Sequence, residues 1–150
     1  MYELFDHTAD LGLLVRADTR EQLLIDAAAG LNAMILAPGQ QLAERETRSL
    51  TLAAEAMDSL LFDWLSELLF LFETEHFLCA QIRLNLSDAV VGLELSAKLI
   101  GEVIDINRFR LEHEVKAITY HELEVAQVLG MPDDTDRPEP GWQATVIVDI

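Results

Sequence analysis

Two carboxylates, an imidazole and a hydroxyl are concentrated near the start of the chain, in the run Asp6-His7-Thr8-Ala9-Asp10. In an extended backbone, Asp6 and Asp10 would lie on one face and His7 on the other. Carboxylates held close together can bind a hard cation or share a proton. The alternative is structural: Asp10 caps a turn and His7 is a satisfied interior histidine. Spacing alone favours the structural alternative.

A second candidate lies at the other end of the chain, in Val146-Ile147-Val148-Asp149-Ile150. An apolar strand there ends in an acid, and Ile150 with its α-carboxylate follows one residue later. Asp149, together with that carboxylate or a nearby backbone carbonyl, would make a compact set of oxygen ligands for Ca²⁺, Mn²⁺ or Mg²⁺. Alternatively, Asp149 only solubilises the end of a strand.

A third candidate is Lys116, which lies in the segment 114–121. If this segment is a strand, alternation places Lys116 on one face with Ile118 and Tyr120. An unpaired ammonium is costly to bury, so Lys116 must reach water, a carboxylate or a phosphate. We expect a salt bridge.

The sequence argues against a zinc or iron–sulfur site. Cys79 is the only cysteine, so an intrachain disulfide and a thiolate-rich metal site are both excluded. His113 and His121 are too far apart in the chain for a local zinc pair. Cys79 itself falls in an alternating segment, where a small buried side chain is expected. A reducing cytosol fits this cysteine usage.

Composition narrows the class of protein further. The chain has 150 residues, 51% of them hydrophobic and 25% charged, which predicts a single globular domain spanning 1–150. Its formal net charge is −17, and we find no cluster of lysine and arginine, so direct binding to nucleic acid is not expected. Such acidity suits a cation site, solubility or a basic protein partner.

Membrane, secretory and self-sufficient catalytic roles are disfavoured. The chain starts acidic, and its longest apolar stretch, 60–72, contains Asp63, Ser66 and Glu67. We therefore expect a cytoplasmic protein. Glycine-rich phosphate loops and a nucleophile elbow are absent from the sequence.

Two helices are predicted to support these residues. Asp18 is the expected N-cap of the first, with Glu21 in the capping-box position, and an apolar stripe runs from there to Ile35. Pro38-Gly39 should end it. The second helix, with Asp58 as its expected N-cap, carries a broader stripe over 60–72 and should form the centre of the core.

The rest of the chain has the period of strands. Alternation and turn residues predict strands at 2–8, 11–17, 49–55, 78–86, 91–99, 115–120, 123–128 and 142–150, with a turn at 87–89 and an exposed loop at 130–141. Strands with two interposed helices indicate an α+β domain in which both helices pack on antiparallel sheet.

The candidate segments together resemble the archease family. The motifs that carry the resemblance occur in the family's order: Phe5-Asp6-His7-Thr8-Ala9-Asp10-Leu11-Gly12, Leu60-Leu61-Phe62-Asp63-Trp64-Leu65-Ser66-Glu67-Leu68-Leu69-Phe70, Gly101-Glu102, Val115-Lys116-Ala117-Ile118-Thr119-Tyr120-His121 and Val148-Asp149-Ile150. The likeness therefore covers nearly the whole chain. The segment 130–141 departs from it by looking longer than the corresponding connection in relatives.

The resemblance implies a metal-binding accessory protein. Such a protein promotes guanylylation and repeated turnover of an RtcB-type RNA ligase in tRNA splicing or RNA repair, and performs no ligation itself. The family's divalent cation, Ca²⁺ or Mn²⁺, is held by residues that match Asp10, Asp149 and Ile150. Asp6 and His7 would lie in the shell around them, and Lys116 matches a family lysine with a supporting role. The alternative is a general interaction or chaperone-like module, in which the carboxylates are incidental.

Overall fold

The computed structural model describes residues 1–129 and 140–150. In these ranges the chain forms eight strands and two helices, in the order β1 Tyr2–His7, β2 Asp10–Ala17, α1 Arg20–Ile35, β3 Glu46–Ala54, α2 Met57–Glu75, β4 Phe77–Asp88, β5 Leu93–Val103, β6 Ala117–Ile118, β7 Glu124–Leu129 and β8 Pro140–Asp149. The predicted α+β class is confirmed.

The described strands form two antiparallel sheets. In the larger sheet β1 pairs with β2 and β2 with β8, and both β6 and β7 pair with the other edge of β8. In the smaller sheet β5 lies between β3 and β4. The first and last strands of the chain are therefore brought together in one sheet.

The two helices pack against the sheets and against each other. α1 contacts β1, β2 and β4, whereas α2 contacts β3, β4 and the short β6. Trp64 of α2 is completely buried, and its indole Nε1 donates a hydrogen bond to the Leu24 carbonyl of α1 at 2.8 Å. A Cβ added to Gly30 would meet Leu13 Cδ1 at 2.4 Å, so glycine allows α1 to approach β2 closely. The prediction that α2 is the centre of the core is wrong: eight of the 16 residues of α1 are buried but only seven of the 19 residues of α2. The apolar surface of α2 is wider than the face it packs, and Phe70 on that surface is 56% exposed.

Both helices begin one or two residues away from the predicted caps. Thr19, and not Asp18, is the N-cap of α1: its backbone is extended and its Oγ1 accepts the Gln22 amide at 3.1 Å. α2 starts after Ala56, and Ser59 Oγ accepts the Ala56 amide at 3.4 Å. Asp58 lies inside the first turn, where its charge still favours the positive end of the helix. At α1 the adjacent Asp18 and Thr19 are both plausible polar caps, and at α2 the cap is the apolar Ala56, so a search for polar caps locates neither start.

Strand boundaries also differ from prediction in the hairpin and in the segment before β7. Gly92 has φ +84 in the turn that joins β4 to β5, so Val91 is a turn residue and not a strand residue. Only Ala117–Ile118 of the predicted strand 115–120 pairs with β8. Val115 and Ile118 are buried three residues apart while Lys116 and Tyr120 are exposed, so the predicted alternation there is wrong.

Most of the predicted loop 130–141 lies outside the described residues. Its last two members, Pro140 and Gly141, belong to β8 and pair with Leu129 and Val128. No helix in the described part of the chain is long and apolar enough to cross a membrane.

Candidate functional site

The pairing of β2 with β8 brings Asp10 and Asp149 to the same end of the larger sheet. The last pair in this register joins Leu11 to Val148, both buried. One residue further along, Asp10 and Asp149 are adjacent on the two strands, and alternation turns both away from the core face. Both side chains are partly exposed. Two of the predicted ligands are thus neighbours in space.

β6 adds Lys116 to the same end of the sheet. The Lys116 backbone amide donates to the Asp149 carbonyl at 2.8 Å, and Ala117 pairs with Asp149. The Lys116 side chain is exposed and makes no ion pair within residues 1–129 and 140–150, so the expected salt bridge is not found there. An exposed ammonium keeps its hydration and needs no carboxylate. Ile150, the third predicted ligand, directly follows β8 and packs partly against the core.

The first hairpin changes the predicted relation between the acids. Thr8 and Ala9 form a two-residue connection, with Ala9 at φ +66, so His7 pairs with Asp10 and Asp6 pairs with Leu11. Residues directly opposite each other share a face. Asp10 therefore shares its face with His7, and Asp6 lies on the other face, which corrects the prediction from simple alternation. The turn at Thr8-Ala9 breaks the continuous strand that prediction assumed.

His7 is the last residue of β1 and lies between Asp10 and Glu122. Its side chain is 25% exposed, and its Nδ1 lies 4.0 Å from an Asp10 carboxylate oxygen. That nitrogen is buried and has no hydrogen-bond partner among the described residues. The other ring nitrogen, Nε2, lies 3.4 Å from a carboxylate oxygen of Glu122. His7 is therefore not the satisfied interior histidine of the structural alternative.

A β-turn after β6 places His121 and Glu122 against His7. The Leu123 amide donates to the Tyr120 carbonyl at 3.2 Å, and Glu122 has φ +54, a conformation that costs a non-glycine residue about 1 kcal/mol or more. Tyr120 stacks on Phe62 of α2, with ring centroids 3.8 Å apart, and this contact holds the turn on the helix. Sequence reasoning missed Glu122, because only the turn and the pairing of β6 bring it near His7.

The donors at this end of the sheet form two chemically different sets. Asp10 and Asp149 provide carboxylate oxygens, the ligands that hard divalent cations prefer. His7, His121 and Glu122 provide two imidazoles and a carboxylate. The local surface is acidic, and Lys116 adds one exposed positive charge beside the last strand.

Cys79 is remote from these donors and suited to a structural role. Its side chain is half-buried on β4, and desolvation by burial raises the pKa of Cys79 to about 12. The thiol is therefore neutral at physiological pH and a poor nucleophile. This agrees with the predicted small apolar role for Cys79.

Comparison with known proteins gives a consistent family assignment. A family model described as the archease protein family matches residues 2–150. Protein archease of Methanosarcina barkeri is 33% identical over 150 residues, covering 99% of this chain and 95% of that protein. Protein archease of Thermococcus gammatolerans is 30% identical over 149 residues, covering 99% of this chain and 98% of the relative.

Solved structures share the fold. Protein 1598 of Methanobacterium thermoautotrophicum, determined in solution, superposes with a TM-score of 0.79 at 30% identity, covering 99% of this chain and 98% of that one. A crystal structure from Thermotoga maritima, described as an archease and possible chaperone, gives a TM-score of 0.56 at 18% identity, covering 100% and 98% of the two chains. At that identity the second likeness concerns the fold alone.

Proposed function

This chain belongs to the archease family, and we propose that it acts there as a non-catalytic, metal-binding activator of an RtcB-type RNA ligase in the cytoplasm. The observation that supports the proposal most directly is the register of β2 with β8. It makes Asp10 and Asp149 neighbours at one end of the larger sheet, although they lie far apart in the sequence. These two acids and Ile150 are the residues that match the family's cation ligands.

The chemistry of the donors fits a hard divalent cation such as Ca²⁺ or Mn²⁺. Asp10 and Asp149 are partly exposed, so a cation could exchange with solvent or with a partner, and Ile150 follows immediately with further oxygen atoms. When bound, the cation would supply concentrated positive charge for the phosphates at the ligase's nucleotide pocket. The protein's own part is to hold the two carboxylates on one face at the end of the larger sheet.

Charge and position support a role for this surface in partner binding. The net charge of −17 favours association with a basic cleft of the kind that binds GTP and RNA. Lys116 immediately precedes β6 and its backbone amide bonds to the Asp149 carbonyl. Its exposed ammonium is free to contact a phosphate of the partner's nucleotide. We assign Lys116 this supporting role within the proposal.

The proposal is tested by measuring formation of the ligase–GMP intermediate with purified ligase, GTP and Mn²⁺. We expect wild-type protein to stimulate it, and Asp10→Ala or Asp149→Ala to reduce the stimulation about tenfold or more, because each removes an oxygen ligand. Glu73→Ala is the matched control: it removes one exposed acid about three turns beyond Phe62 on α2. Circular dichroism checks that all variants fold.

Two other outcomes would contradict parts of the proposal. Full stimulation by both aspartate variants would overturn the cation-site assignment. No stimulation by the wild type would favour a general interaction or chaperone-like module, the class suggested by the description of the Thermotoga maritima structure as a possible chaperone. Suppression of aggregation of a model substrate, without dependence on Asp10 and Asp149, would identify that function.

A further inference from the structure

Three side chains from distant parts of the chain converge beside the proposed oxygen-ligand site. One potential ligand atom from each of His7, His121 and Glu122 lies within 4.8 Å of those from the other two. His7 ends β1, whereas His121 and Glu122 are the two central residues of the turn after β6. The rings of His7 and His121 meet edge to face, with centroids 5.6 Å apart.

The spacing of the donor atoms approaches that of a tetrahedral metal site. His7 Nε2 lies 3.4 Å from one Glu122 oxygen, and His121 Nε2 lies 3.7 Å from the other. Two ligands at the usual zinc distances of about 2.0–2.1 Å and a tetrahedral angle are separated by roughly 3.3–3.4 Å. Small side-chain rotations therefore bring these donors around one ion.

The surroundings of His7 favour the same geometry. A metal-binding histidine usually donates from its second ring nitrogen to a carboxylate, which orients the ring. The buried, unpartnered Nδ1 of His7 faces the Asp10 carboxylate at 4.0 Å. An ion on Nε2 would keep the proton on Nδ1. After a small approach, the Asp10 carboxylate could accept a hydrogen bond from that N–H.

We propose that His7, His121 and Glu122 form a second metal site, which binds Zn²⁺ or a divalent ion of similar preference. Two imidazoles and one carboxylate are a ligand set of known zinc sites, and three protein ligands leave a fourth position open. His121 and Glu122 are 63% and 57% exposed, so water can occupy that position. The site differs from the one proposed at Asp10 and Asp149, where the donors are oxygens alone.

This inference does not depend on the proposed ligase activation, because it concerns binding by the isolated chain. His113 and His121 are too far apart in sequence for a local zinc pair, but the fold brings His121 to His7 instead. The cluster lies at the end of the sheet that carries Asp10, so two cations of different preference would be held side by side.

Titration of the purified protein with Co²⁺ tests the site, because Co²⁺ in a tetrahedral nitrogen and oxygen environment absorbs visible light. We expect the wild type to give a saturable band with one ion per chain that Zn²⁺ displaces. His121→Ala and Glu122→Gln should each weaken Co²⁺ binding about tenfold or more. His121 and Glu122 lie on an exposed turn, so these variants should fold. His113→Ala is the control, since His113 is not in the cluster.

The outcomes separate this site from the ligase proposal. Asp149→Ala should lose ligase stimulation but keep the cobalt band, whereas His121→Ala should lose the band. Absence of a saturable band in the wild type would overturn the second site, whatever the ligase assay shows. So would a band that survives unchanged in both His121→Ala and Glu122→Gln.

Discussion

His7 connects the two sets of donors at one end of the larger sheet. Its Nδ1 faces Asp10, which belongs with Asp149 to the carboxylate donors. Its Nε2 faces Glu122, which belongs with His121 to the other set of donors. One imidazole cannot satisfy a carboxylate on each side while neutral, since it then carries a single proton. The chemistry of this residue therefore depends on what Glu122 and His121 bind.

The buried thiol of Cys79 should make the folded protein less stable at alkaline pH. Burial raises the pKa of Cys79 to about 12 in the folded protein, whereas a thiol in an unfolded chain ionises near about 8.5. Above that pH the thiol is ionised in the unfolded chain but still protonated in the folded protein. The unfolded chain therefore binds fewer protons, and the free energy of unfolding falls as pH rises. Wild type should therefore lose stability relative to Cys79→Ala between about pH 8 and about pH 10.5.

Urea denaturation of both proteins across this range measures the effect. Comparison with Cys79→Ala cancels the titration of tyrosines and lysines, which both proteins share. A difference that stays constant with pH would show that the Cys79 thiol ionises as easily in the folded protein as in the unfolded one.

At the scale of elements, the contact between α1 and α2 depends on Trp64. The indole is fully buried and hydrogen-bonded to the Leu24 carbonyl, so it contributes both apolar burial and a polar link between the helices. Trp64→Phe should lower the free energy of unfolding by about 1–3 kcal/mol, through the lost hydrogen bond and the space left by the smaller ring.

Urea denaturation followed by far-ultraviolet circular dichroism measures this loss. Phe70→Ala is the control on the same helix, because Phe70 is 56% exposed and its removal should change stability by no more than about 0.5 kcal/mol. Equal destabilisation by the two substitutions would contradict the central role of Trp64.

At the scale of the whole molecule, charge opposes folding. With 27 acidic and ten basic residues, the folded chain concentrates like charges that the unfolded chain can separate. Added salt screens this repulsion. The Tm should therefore rise by at least about 2 °C when monovalent salt is increased from low concentration to physiological ionic strength.

Differential scanning calorimetry in NaCl and in choline chloride distinguishes screening from specific ion binding. Screening depends on ionic strength, so both salts should raise the Tm equally. A rise in NaCl alone would indicate sodium binding, and no rise in either salt would show that self-repulsion is negligible.

Sequence alone determined the class of fold and the family. The 3.6-residue stripe over 60–72 and the alternation in 78–86 reflect local backbone geometry, so they correctly indicated α2 and β4. The motifs around Asp10, Lys116 and Asp149 correctly indicated the archease family. The cation site at Asp10, Asp149 and Ile150 stays a prediction.

Only the tertiary structure decided which candidate residues meet. The two-residue turn at Thr8-Ala9 moved Asp6 to the other face and set His7 beside Asp10. The pairing of β6 with β8, followed by a turn with Glu122 at positive φ, brought His121 and Glu122 to His7. Local patterns specify the period of an element but not its register or its partners, because these follow from packing between segments distant in the chain.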